Sequence, residues 1–278
     1  MIDTHQHLIY PGRFSYPWTA ELPALQNAFE LDQYQTQAAD CGITGTLFME
    51  VDVDESQVAN EAQFFCGLAE DPSSKIIGVV AAARPEHANF ESSLNAIAHP
   101  KLRGVRRVLH TQPDALSQDP GFRRNVGHLG ERGLTFDLCV LERQLPVAIK
   151  LVDACPKTRF ILDHCGVPSI ATNSPEFWQT QIREIAQRPN VVCKVSGIVL
   201  YAGENQRSAD DIFPWLSHVV ETFGWDRIVW GSDWPVCTLA VPLHQWVAIT
   251  HELLDLASAT EAQRHAFLEG NARRIYGV

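Results

Sequence analysis

Short apolar runs recur along the chain, each followed by a longer stretch in which polar and apolar positions mix. Eight runs read as strands: Met1–His7, Ile43–Val51, Lys75–Ala82, Leu102–Leu109, Leu134–Val140, Arg159–His164, Val191–Ser196 and Arg227–Ser232. Several are almost continuously hydrophobic, as expected of parallel strands covered on both faces. Helical spacing fills the intervals, for example over Leu31–Asp40, Ser56–Glu70 and Trp178–Gln187. Glycine after a helical stretch and before a strand, at Gly42, Gly133 and Gly224, marks helix stops. The proline-bearing stretch Ile9–Leu25 reads as an ordered loop after the first strand. Strand starts spaced by about 25–40 residues are the rhythm of repeated βα units. No linker or charge block interrupts them, so the expectation is one α/β domain over residues 1–278, a (β/α)8 TIM barrel. A doubly wound open sheet is the alternative. The turn after the first strand, His-Gln-His-Leu-Ile-Tyr-Pro, lacks the glycine-rich phosphate loop that such a sheet would favour.

Composition narrows the class. With 45% hydrophobic and 20% charged residues, the chain is not a disordered one. A net charge of −11 argues against a nucleic-acid or anionic-membrane surface. The longest apolar runs are of strand length, and the N-terminus Met-Ile-Asp-Thr-His has no signal-peptide character. Seven cysteines, none paired as Cys-x-x-Cys, fit reduced and mostly buried thiols. A cytoplasmic location is therefore expected.

In a barrel of this kind, chemistry sits at the C-terminal mouth of the strands. The first strand ends Asp3-Thr4-His5-Gln6-His7, and a period of two points both imidazoles to one side. The sixth ends Leu162-Asp163-His164 and the eighth runs into Gly231-Ser232-Asp233-Trp234-Pro235. Three imidazoles and a carboxylate converging on one point suit Zn²⁺. A lone histidine at a strand end is more often structural, but the coincidence of four such groups favours a site. Histidines 87, 99, 128, 218, 244, 251 and 265 fall in helical or loop segments and read as surface or capping residues.

Those motifs, with the closing Gly-Asn-Ala-Arg-Arg-Ile-Tyr-Gly at 270–277, resemble the amidohydrolase superfamily. More narrowly, the chain is similar to the branch that includes sugar lactonases and the pyrone dicarboxylate lactonase. Phe136-Asp137-Leu138, Gln144-Leu145 and Gly104-Val105-Arg106 extend the likeness over essentially the whole chain. The resemblance implies the same barrel, with His5, His7, His164 and Asp233 as ligands to one divalent metal in some members and a metal-free site in others. The larger relatives carry a metal-bridging lysine on strand four and often a histidine on strand five. Arg106, His110 and Asp137 stand there instead, so a binuclear centre is not expected.

The leading expectation is a lactonase acting on a sugar-derived or small carboxylated lactone. Asp233 is the candidate general base, and His164 helps to hold the water or the metal. Arg106, four residues from His110, is a candidate for oxyanion stabilisation or for binding a carboxylate substituent. Its alternative is an outward salt bridge, with Arg107 the competing inward residue. Further candidate substrate-binding residues are His110, Lys194, Glu50, Trp18 and Trp234. Lys194 has a structural ion pair as its alternative, Glu50 a supporting polar role, and the two tryptophans simple core packing. Asp3 is expected to orient the histidines or cap the barrel floor, not to take part in the chemistry. With an acidic protein, Arg106, Lys194 or a metal would have to attract any carboxylated substrate. The expected partner is a small-molecule lactone, without nucleic acid or membrane, and self-association into a homo-oligomer is compatible with the sequence. The competing readings are a metal-dependent non-oxidative decarboxylase of an aromatic or dienoic acid, which metal-free activity would exclude, and a catalytically silent barrel.

Overall fold

A computed structural model describes residues 1–278. Eight strands pair in parallel and in chain order: β1 (Ile2–Gln6), β2 (Gly45–Met49), β3 (Ile76–Ala82), β4 (Leu102–Val108), β5 (Thr135–Cys139), β6 (Arg159–Leu162), β7 (Val191–Ser196) and β8 (Ile228–Gly231). Helices α1 (Leu31–Ala38), α2 (Val58–Leu68), α3 (Phe90–Ala96), α4 (Pro120–Glu131), α5 (Leu145–Ala154), α6 (Glu176–Ala186), α7 (Ala209–Phe223) and α8 (Leu243–Leu256) follow them in turn. Two short helices, α9 (Glu261–His265) and α10 (Asn271–Tyr276), end the chain. The architecture is the (β/α)8 barrel that the spacing predicts. No helix is long and apolar enough to cross a membrane.

The seam between β1 and β8 is stitched largely by the segment beyond β8. Asp233 donates its backbone N–H to the His5 carbonyl at 2.8 Å, and His7 donates to the Trp234 carbonyl at 2.7 Å. Asp3 reinforces it, accepting from the Ser232 backbone at 2.8 Å and from Tyr34 of α1 at 2.7 Å. A register shift between Asp3 and Gln6 lets both Ile2 and His5 face the barrel interior, which strict alternation forbids.

Apolar side chains fill two regions. The larger lies between strands and helices. The smaller plugs the barrel floor, where Leu47, Val80, Ile161, Val192 and Val229 meet Ile275 and Tyr276 of α10. Above that floor the interior turns polar, and the chemistry lies there. All seven cysteines are buried and free, as composition suggests. His218 departs from expectation: it is buried and its Nε2 bonds the Gln179 carbonyl at 3.0 Å, so it joins α7 to α6 instead of capping the surface.

The predicted elements overrun the observed ones at their ends. β6 stops at Leu162 rather than His164, because Asp163–Gly166 form a tight turn in which His164 and Cys165 adopt left-handed backbone (φ 53° and 54°). The Trp178 indole of α6 donates to the Cys165 carbonyl at 2.8 Å and anchors that turn.

Candidate active site

Three imidazoles and one carboxylate meet above the polar layer. His5 Nε2 and His7 Nε2 are 3.1 Å apart, and Asp233 Oδ1 lies 3.6 Å from the first and 3.4 Å from the second. The ligand atoms of His5, His164 and Asp233 all fall within 4.8 Å of one another. Their orientations are set from behind. His7 Nδ1 faces the Met49 carbonyl at 3.0 Å; a carbonyl only accepts, so the proton sits on Nδ1 and Nε2 keeps its lone pair. His164 Nδ1 is fixed in the same way by the Ser196 carbonyl at 3.1 Å. His5 Nδ1 faces Asp163 Oδ1 at 3.5 Å, the side on which a proton is favoured.

Two of the close approaches need glycine. A Cβ on Gly231 would stand 2.7 Å from the Cβ of His5, and one on Gly197 would stand 2.6 Å from that of Asp233. Gly197 also has φ +56°.

Lone pairs on His5 and His7 and a carboxylate oxygen at such separations repel unless a proton or cation is shared among them. The donor set is nitrogen and oxygen only, on rigid supports. It fits a divalent metal.

Below this cluster runs a buried ion network. Lys194 Nζ lies 2.6 Å from Asp137 Oδ2 and 3.0 Å from Asp163 Oδ1, and none of the three is exposed. Burial raises Asp163, yet Lys194 and His5 outweigh it and hold its carboxyl well below the usual range. Burial lifts Asp137 to about 7, with Lys194 opposing only in part. Burial would raise Asp233 as well, but His164, His7 and His5 hold it at about 2, so it is a carboxylate at neutral pH.

The mouth is a cavity of about 330 Å³ whose walls include His7, His164, Asp233, Arg106, His110 and Trp18. Arg106 points inward, as expected, while Arg107 turns out to Glu86 at 2.6 Å. Trp18 is fixed at the mouth by its indole N–H on the Val51 carbonyl at 2.7 Å. His110 lies beyond the end of β4, its Nδ1 3.2 Å from Cys139 Sγ. Burial and Arg106 push His110 down to about 4, so it is neutral.

Three expected substrate-binding residues do not reach this cavity. Trp234 is wholly buried, its ring against Phe29 and Tyr34 and its indole N–H on Gln37 at 3.1 Å, because its backbone belongs to the β1–β8 seam. Lys194 is consumed by the two aspartates beneath the histidines. Glu50 lies under Arg106 and binds it at 2.6 Å. Conversely, the cavity contains Tyr201, Asp52 and Cys139, and Asp163 braces His5; sequence reasoning passes over all four. Asp163 carried a signal in its adjacency to His164, but alternation on an extended strand allows only one of two neighbours to face inward. The left-handed turn removes that restriction.

The sequence match is as extensive as the structural one. A family model described as amidohydrolase matches residues 2–278. The chain belongs to the amidohydrolase family. Among similar proteins, an L-fucono-1,5-lactonase of Burkholderia ambifaria is 28% identical over 283 residues, covering 100% of this amidohydrolase and 95% of the relative. An L-rhamnono-gamma-lactonase of Scheffersomyces stipitis is 24% identical over 204 residues, covering 64% and 59% of the two chains. A crystal structure of a Burkholderia multivorans amidohydrolase with bound Zn superposes with a TM-score of 0.90 at 28% identity, covering 100% of this chain and 99% of that one. This amidohydrolase is a hydrolase, and the donor set and the metal-bearing relative together point to a divalent metal.

Proposed function

We propose that this amidohydrolase is a lactonase that opens a sugar-derived lactone with Asp233 as general base and Zn²⁺ as its metal. One observation carries the reading: a single ionised carboxylate, Asp233, is held against two imidazole nitrogens at 3.4 and 3.6 Å in the wall of a cavity of about 330 Å³. The lactonase names of the fucono and rhamnono relatives support it.

His5, His7, His164 and Asp233 would hold the ion, a nitrogen and oxygen set that zinc accepts. When bound, the ion supplies a positive charge that polarises an ester carbonyl and acidifies water. The remaining steps belong to the chain. Trp18 and His110 flank the ring of a lactone in the cavity. Asp233 takes one proton from the attacking water as its oxygen adds to the carbonyl carbon. When the ring C–O bond breaks, Asp233 returns that proton to the departing ring oxygen, leaving a hydroxy acid. Arg106 and the Tyr201 hydroxyl are the donors on hand for the oxyanion. Burial and Asp233 push the Tyr201 phenol well above its ordinary value, so it keeps its proton.

The test is a pH-indicator assay of purified protein of measured metal content against a panel of aldonolactones. Acid release from at least one is expected, greater after zinc loading. No acid release from any of them, metal-stripped or zinc-loaded, sinks the reading.

A further inference from the structure

The charges around the cavity are few, and nearly all are already matched. Arg106 is the one permanent cation in its wall. Its Nε lies 2.6 Å from Glu50 Oε1 and its Nη2 donates to the Glu50 carbonyl at 2.8 Å. The remaining nitrogen, Nη1, faces His5 Nε2 at 3.4 Å and Asp163 at 3.8 Å. The Nε–Nη2 edge of the guanidinium, which would grip an incoming carboxylate in two-point fashion, is therefore taken up by Glu50, and only Nη1 is left for an oxyanion. Glu50 is itself held, accepting the Asp52 backbone N–H at 2.7 Å. Lys194, the other cation near the axis, is sealed below the histidines by Asp137 and Asp163. His110 is neutral. Two further carboxylates face the space, Asp233 and Asp52, and the nearest cation to Asp52, Arg84 at 3.6 Å, is shared with Glu55 at 3.1 Å. The charge of a metal held by His5, His7, His164 and Asp233 would act on the reacting carbonyl, so a ring substituent would still lack a counter-charge.

We propose that this pocket selects uncharged lactones, and that Glu50, which does not line it, sets the preference by occupying Arg106. The inference rests on the lactonase reading and divides its two substrate classes. A carboxylate on the substrate would enter a mostly apolar cavity whose one cation, Arg106, is already neutralised by Glu50, with Asp52 and Asp233 opposing it. Hydroxyl groups meet no such opposition, because His110, Thr111, Tyr201 and Asp52 offer hydrogen-bond partners along the wall.

The experiment compares kcat/KM of the zinc-loaded protein on aldonolactones and on aldaric acid monolactones, which replace the terminal CH2OH by a carboxylate. The expected preference for the neutral class is at least about 100-fold. Glu50→Gln removes the counter-charge from the guanidinium and should shrink that preference by about tenfold or more, mostly through KM for the carboxylated class. Asp52→Asn, at the half-buried rim, should shrink it in the same direction and serves if Glu50→Gln does not fold. Equal or better turnover of the carboxylated class by the unmodified protein overturns the inference and leaves the lactonase reading standing. So does an unchanged ratio in a folded Glu50→Gln or, failing that, in Asp52→Asn. Turnover of neither class removes the lactonase reading and this inference with it.

Discussion

Asp233 reaches the cavity on left-handed backbone (φ 60°), a conformation that aspartate and asparagine tolerate better than other side chains. Its N–H is spent on His5 and its carbonyl accepts the Cys237 N–H at 2.8 Å, so the carboxylate is aimed from both sides. Asp233→Asn preserves that backbone preference while removing the charge and the basic oxygen. The melting temperature should stay within a degree or two, while kcat on the best lactone falls by about 10²–10⁴-fold. A kcat near that of the unmodified protein would eliminate Asp233 as the base. Trp234, its neighbour, shows how one position along the chain changes the role entirely: one residue faces the cavity, the next is locked among Phe29, Tyr34 and Gln37.

At the scale of elements, the site depends on how β6, β7 and β8 end. Gly197 closes β7 where Asp233 crosses, and Gly197→Ala would place a methyl 2.7 Å from Asp233 Oδ2 at a φ of +56°. Stability should fall by about 1–3 kcal/mol from backbone strain. A displaced carboxylate should cost about 100-fold in kcat. Normal kinetics with a normal melt would show that the crossing has room to relax. These endings also mark the limit of what the sequence makes legible. The strands are readable because parallel strands buried on both faces leave continuous apolar runs, and the four converging groups because they all follow such runs. What a strand does after its last ladder bond is decided by tertiary neighbours. That is why His164 lies past the end of β6, and why Asp163 escapes notice. Lys194 and Glu50 look like binding residues for a related reason: periodicity places them inside the barrel, but depth along the axis depends on the stagger of neighbouring strands.

Across the whole molecule, the barrel interior is divided between an apolar floor and a charged layer above it. Lys194 is the cation of that layer for both Asp137 and Asp163, so Lys194→Met strands two buried carboxylates. The expected cost is about 3–5 kcal/mol at neutral pH. The sign with pH follows from Asp137, already raised to about 7 against about 4 in the unfolded chain. A raised carboxyl stabilises fully below the unfolded value and loses that contribution as pH rises through the folded one. Removing Lys194 deepens that loss. The gap in melting temperature between the unmodified protein and Lys194→Met should therefore be small near pH 4 and large near pH 8. An equal gap at both would show that packing, not charge, is what Lys194 provides. The seam between β1 and β8 has another implication, for the order of events during synthesis. The bonds that close the ring are made by the same short segment that delivers Asp233, and 227 residues separate Ser232 from His5. Until the ribosome has released that segment, a nascent chain holds all three imidazoles but not the proposed base. With Asp233 as the proposed base, ring closure and the onset of hydrolysis become a single late event, and a half-made chain has no partial activity to leak.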